Sequence, residues 1–151
     1  MSDATNSVAR SDSAVHWFRH AVSLDSTWPE GWVGLGEAYT HLLPRGPQQD
    51  SLADVAFATA YELTNGFAPV LFHLVEEGLR SNRLDYAANL LEEFRRSKPD
   101  SESLAILELM YRCVAESPNA IDWYSIASKE PEAVFQSAHW WGYRACFRLC
   151  A

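Results

Sequence analysis

Four residues, Trp32, Leu35, Gly36 and Tyr39, constrain this chain more than any others. On a helix they fall within about 60° on either side of one direction, so they form a single packing face. Gly36 inside a helix costs about 1 kcal/mol relative to alanine. A glycine there is explained if a neighbouring helix comes closer than a Cβ would allow. Pro29 suits the first turn of the same helix, where its missing N–H would have no intrahelical partner anyway. The neighbours are readable too. Ala14-x-x-x-Phe18-x-x-Ala21 precedes the segment and Ala53-x-x-x-Phe57-x-x-Ala60 follows it, each setting small residues around a ring. A third version, Ala87-x-x-x-Leu91-x-x-Phe94, comes later in the chain. The step from Ala21 to Ala60 is 39 residues and that from Ala60 to Phe94 is 34. A helical supersecondary unit therefore recurs along the chain.

In order and spacing, these residues resemble the tetratricopeptide repeat. That resemblance implies an all-α fold: a solenoid of antiparallel helix pairs in a right-handed superhelical stack, with a divergent C-terminal helical cap. The expected organisation is a flexible arm over 1–11, then repeats over 12–115, then divergent helices over 116–151. Within the array we expect a half-repeat at 12–26, a repeat at 29–65 with an inserted loop at 43–50, a repeat at 68–99 and a partial repeat at 101–115. Asp50 or Ser51 is the expected cap of the helix after the inserted loop, and Asn65-Gly66 and Ser81-Asn82 are the expected turns. In the second full unit Leu71 and Leu74 replace Trp32 and Leu35, while Val75 and Gly78 stand for Gly36 and Tyr39, so the match weakens. Leu104-x-x-Leu107-x-x-x-Tyr111 is displaced by one residue from the strict period. The phrases Leu24-Asp25-Ser26-Thr27-Trp28 and Asp50-Ser51-Leu52-Ala53 are also faintly similar to repeat arrays attached to bacterial serine/threonine kinases and transcription regulators.

A formal net charge of −8 disfavours a nucleic-acid surface, because phosphate contacts need clustered Lys and Arg. No run approaches the roughly eighteen apolar residues that span a bilayer. The polar start Met1-Ser2-Asp3-Ala4-Thr5-Asn6-Ser7 lacks the basic-then-apolar order of a signal peptide. The expected location is the cytoplasm. Cys113, Cys146 and Cys150 are an odd set without scaffold spacing, which favours reduced, mostly buried thiols.

Constellations with chemical potential are thin. Asp12, His16 and His20 share one stripe, opposite Phe18 and hence on the solvent side. Asp12 to His20 spans about 12 Å of axis, too far for one metal. His139, Cys146 and Cys150 share another stripe, but only the two thiols lie near enough to meet a common ligand, short of a four-coordinate zinc site. Gly31-x-x-Gly34-x-Gly36 looks like a phosphate loop but lacks a preceding strand and sits inside the repeat motif. We expect no enzyme activity, no cofactor and no metal.

What remains is a binding scaffold that acts through a concave groove. In the family, partners lie along the first helix of each repeat, on the side away from the packing residues. That face falls on Val33, Glu37, Thr40 and His41 in the first full unit and on Phe72, Glu76, Leu79 and Arg80 in the next. Ile106 and Met110 are its extension past Pro99. Arg80 alone resembles the cations that clamp a C-terminal carboxylate in such repeats, and Glu76 four residues earlier is placed to neutralise it. The expected partner is a protein or peptide with apolar anchors for Phe72 and Leu79 and a basic residue near Glu37, with neither nucleic acid nor membrane involved. Other readings are a self-associating solenoid fragment that pairs end to end, and a small-molecule sensor within a larger bacterial regulator. Both ends read as unfinished: the first helix lacks its partner, and the last carries Trp140, Trp141, Tyr143 and Phe147. Trp32 is expected to be a large buried side chain at the central seam.

Overall fold

The computed structural model describes residues 3–42, 47–116, 121, 122 and 125, with backbone only for residues 3–12, Pro47 and Gln49. Among the described residues the chain is all-α, with six α-helices, one π-helical turn and no strand. They are α1 (Asp3–Leu24), α2 (Pro29–Glu37), the π turn (Ala38–Leu42), α3 (Pro47–Thr64), α4 (Ala68–Arg80), α5 (Leu84–Arg96) and α6 (Ser101–Ala115). The chain divides into two compact units, Met1–Val70 and Leu71–Ala151. None of the described helices is long and apolar enough to cross a membrane.

Two boundaries differ from the sequence reading. Residues from Asp3 onwards, expected as a loose arm, belong to α1. No Gly or Pro occurs between Asp3 and Asp12, and once a helix is nucleated each added residue brings a backbone hydrogen bond. The expected loop at 43–50 is shorter at its far end, because α3 starts at Pro47. Proline is favoured in a first helical turn, and Asp50 then sits where the helix dipole favours an anion. Neither Asp50 nor Ser51 is therefore the cap. The expected helices beyond residue 125, with His139, Trp140, Trp141, Tyr143, Cys146, Phe147 and Cys150, lie outside the described residues.

In the first unit α2 packs on α1 and on α3. Glycines set both approaches. A Cβ at Gly36 would lie 2.6 Å from Cε1 of Phe57, and one at Gly34 would lie 2.2 Å from Cε1 of Phe18. The rings of the two Ala-Phe-Ala helices thus rest on bare α2 backbone. Ala53, Phe57 and Ala60 are fully buried, and Leu35 and Tyr39 opposite them are buried. Trp32 departs from expectation: it is only half-buried. Its indole Nε1 donates to the Ser26 carbonyl at 2.9 Å, which holds the polar edge of the ring at the wet α1–α2 turn. Arg19 Nε donates to the Tyr39 hydroxyl at 2.7 Å and ties α1 to the π turn.

In the second unit α4 meets α5 through Gly78, where a Cβ would sit 3.1 Å from the Tyr86 ring and 3.2 Å from Ala87 Cβ. Phe72 and Phe94 meet edge to face at 6.2 Å between centroids. α5 packs on α6, with Arg95 Nε donating to Glu108 Oε1 at 2.9 Å. The expected turns are present. Asn65 and Gly66 at φ 52° and 93° end α3, and Asn82 at φ 54° turns the chain between α4 and α5.

Asp100 caps α6 by accepting from the Ser103 amide at 2.8 Å. The Ser103 backbone bond, followed by the Ser103 side chain, holds the Asp100 carboxyl below its ordinary value. The cap is therefore at full strength above the unfolded value near 4 and is lost as pH falls through the depressed folded one. The gap in thermal midpoint between wild type and Asp100→Ala should narrow as pH is lowered through that window. A gap unchanged from neutral pH to about pH 2 would mean the carboxylate is not the cap.

Candidate functional site

On α2, Val33 and Glu37 are half-buried, while Gly31, Leu35 and Gly36 on the other face are buried. Glu37 Oε2 lies 3.1 Å from His41 Nε2, with the two side chains 38% and 46% exposed. Val33, Glu37 and His41 thus form an accessible edge that crosses from α2 into the π turn.

Thr40 does not belong to that edge. It is buried, along with Ala38 and Tyr39. Ordinary α-helical spacing puts Thr40 beside Glu37, but residues 38–42 follow the wider i→i+5 path. The extra residue in the turn rotates Thr40 inward while Tyr39 keeps its contact with Arg19. Turns of this kind often occur inside helices at functional sites. Nothing in the local sequence marks it.

The second unit departs further. Glu76 and Leu79 are buried, and every residue from Leu74 to Leu79 is buried as well. Successive residues are 100° apart, so α4 is covered on all sides over this stretch. Phe72 is half-buried and its ring is engaged by Phe94 and by His73. Arg80 keeps only 5% of its side chain exposed, with Nη1 3.0 Å from Glu77 Oε1 and Nη2 3.9 Å from Glu76 Oε1. Glu77, which the repeat pattern does not single out, is thus the closer partner. Glu76 Oε2 also lies 3.2 Å from His73 Nδ1. Charged residues read as solvent-facing in a sequence, and here their mutual pairing permits burial.

On α6, Met110 is buried with Leu107, Leu109 and Cys113, and Ile106 is half-buried. Met110 therefore serves the core of the unit. Of the ten candidates, Val33, Glu37 and His41 keep an open edge, and Thr40, Glu76, Leu79 and Met110 are inside. Cys113 is a buried thiol. His16 and His20 are exposed on α1, as their place opposite Phe18 predicts.

A residue missing from the sequence reading is Trp17, 63% exposed on the outer face of α1. Its signal was present as the seven-residue step to Leu24. No family model, curated protein or solved structure matches this chain.

Proposed function

We propose that the chain is a protein- or peptide-binding module of tetratricopeptide-like helical repeats, which recognises a partner through the Val33–Glu37–His41 edge. The observation that carries this reading is the seat of Phe57 on Gly36, with Ala53 and Ala60 fully buried beside it. The residues that define the repeat thereby meet across a helix pair, as a repeat hairpin requires. The remaining face of α2 then holds side chains that do not serve the core. Val33 offers a small apolar contact and Glu37 a carboxylate on an accessible edge. A peptide with a Lys or Arg beside an apolar residue fits that chemistry. Interface charges of this kind set specificity and register more than they set raw affinity.

The test is a peptide array probed with wild type and with Glu37→Lys, both checked for helicity. Wild type should retain peptides enriched in Lys and Arg, and the variant should shift towards Asp and Glu. Like charges across the contact should weaken the original peptides by about tenfold. Identical peptide sets for the two proteins, or no retained peptide, would remove the edge as the binding site.

A further inference from the structure

The Val33–Glu37–His41 edge contains its own competitor for the carboxylate it offers. His41 Nε2 lies 3.1 Å from Glu37 Oε2, on side chains 46% and 38% exposed, so solvent reaches both. Imidazole is the side chain that ordinarily changes charge between about pH 5 and 8. As a neutral ring it can give Glu37 one N–H and leaves the carboxylate its charge. As a cation it makes a charge-assisted bond about twice as strong, and the negative charge of the edge is cancelled. The contact joins the last residue of α2 to the π turn, and α1, α2 and α3 all pack on that turn. On α1, Arg19 is taken up by the hydroxyl and ring of Tyr39, and His16 and His20 are exposed. On α2, Glu30 stands two turns before Glu37, and on α3 Asp50 and Asp54 lie in the first two turns. Among the described residues Glu37 is the carboxylate within ion-pair reach of His41.

We propose that His41 is a pH-sensitive internal counter-ion for the binding edge. When neutral it leaves Glu37 to the Lys or Arg of a peptide, and when protonated it competes with that residue for the same carboxylate. The inference rests on the edge being the peptide site. Its sign follows from the charges. Lys and Arg stay cationic throughout, so the protein side alone changes, and basic peptides are released as pH falls. Both side chains are well exposed, which limits the effect to the worth of one surface ion pair. His41 thereby tunes occupancy without closing the edge.

The probe is a tetramethylrhodamine-labelled peptide with three Leu-Lys pairs in a Gly-Ser background, whose charge is constant over the range used because lysine titrates near 10. Anisotropy titrations of the full chain at about pH 8 and about pH 5.5 bracket the imidazole. Wild type should bind more weakly at the lower pH. His41→Gln has no charge at either, so its loss between the two should be about two- to fivefold smaller. The remaining histidines and the carboxylates are common to both proteins and cancel in that comparison. His41→Lys is charged at both, and a lysine four residues after a glutamate is well placed to pair with it. At about pH 8 this variant should bind about two- to fivefold more weakly than wild type. Circular dichroism should confirm equal helicity in all three proteins. Equal pH losses in wild type and His41→Gln, or a His41→Lys variant that binds as tightly as wild type, would overturn the proposal. If Glu37→Lys still weakens the peptide in that case, the edge stands and only the role of His41 falls. No binding to wild type at either pH would remove both.

Discussion

Phe57→Ala is expected to destabilise the first unit by about 3–5 kcal/mol, the largest loss from truncating any one of its side chains. The ring is fully buried and rests on the backbone of α2 at Gly36. Its neighbours along α3, Ala53, Ala56 and Ala60, are fully buried but too short to refill the space. The cavity would also be walled by helix backbone on the α2 side, which collapses poorly, and poor collapse puts the cost at the upper end of the range. Trp32→Ala should cost less, because the indole is half-buried and one edge faces the wet turn at Ser26. Gly36→Ala supplies a second check through a change of sign. In the wild type the new methyl meets the Phe57 ring at 2.6 Å, and overpacking of about 1–3 kcal/mol outweighs or cancels the gain of about 1 kcal/mol in helix propensity. In a Phe57→Ala background the same methyl enters the cavity, and only the gain remains. Denaturant midpoints of the four proteins measure both effects. If Gly36→Ala is no less harmful in the Phe57→Ala background than in the wild type, the two residues do not share a seam.

The reason this seam was legible lies in how packing constrains residue type. A glycine in mid-helix and alanines around a ring are costly or unusual unless two backbones approach closely, so Gly36 and Ala53-x-x-x-Phe57-x-x-Ala60 announce their contact. The turns at Asn65-Gly66 and Asn82 are legible for a similar reason, since left-handed backbone narrows the choice of residue. The candidate binding face carried no such signature. Only α-helical spacing from the packing residues points to it, and that spacing fails wherever the path changes. At Thr40 the π turn changes it. On α4 the spacing holds, but solvent does not reach the face it points to. A pattern of Glu76, Leu79 and Arg80 cannot distinguish a wet groove from a buried ion cluster, because both place charge at the same positions. Glu77 was overlooked for the same reason: adjacent carboxylates suggest a solvated helix surface, and only the Arg80 contact reveals otherwise.

Arg80→Met should cost the second unit about 3–5 kcal/mol, and Glu77→Leu a similar amount, whereas the two together should cost far less than the sum of the single losses. Glu77 is 1% exposed and Arg80 5% by side chain, 3.0 Å apart at Nη1 and Oε1. Removing the guanidinium leaves the buried Glu77 carboxylate without that cation, and removing the carboxylate leaves the guanidinium with Glu76 at 3.9 Å as its remaining charged contact among the described residues. Either single change keeps the expense of desolvating an ion and deletes much of what offsets it. The double replacement removes both ions, and Met and Leu pack well in a stretch already flanked by Leu74, Val75 and Leu79. Arg80 Nε, buried with no hydrogen-bond partner among the described residues, means that even the intact pair is imperfectly satisfied. The double variant can therefore approach or exceed wild-type stability, as apolar replacement of buried ion pairs has a record of doing. His73 and Glu76, 3.2 Å apart, are left in place so that their contact does not confuse the comparison. Guanidinium denaturation of the wild type, both singles and the double gives the coupling directly. Single losses below about 1 kcal/mol would be those of a solvent-exposed ion pair, and would return Glu77 and Arg80 to the surface that their sequence suggests.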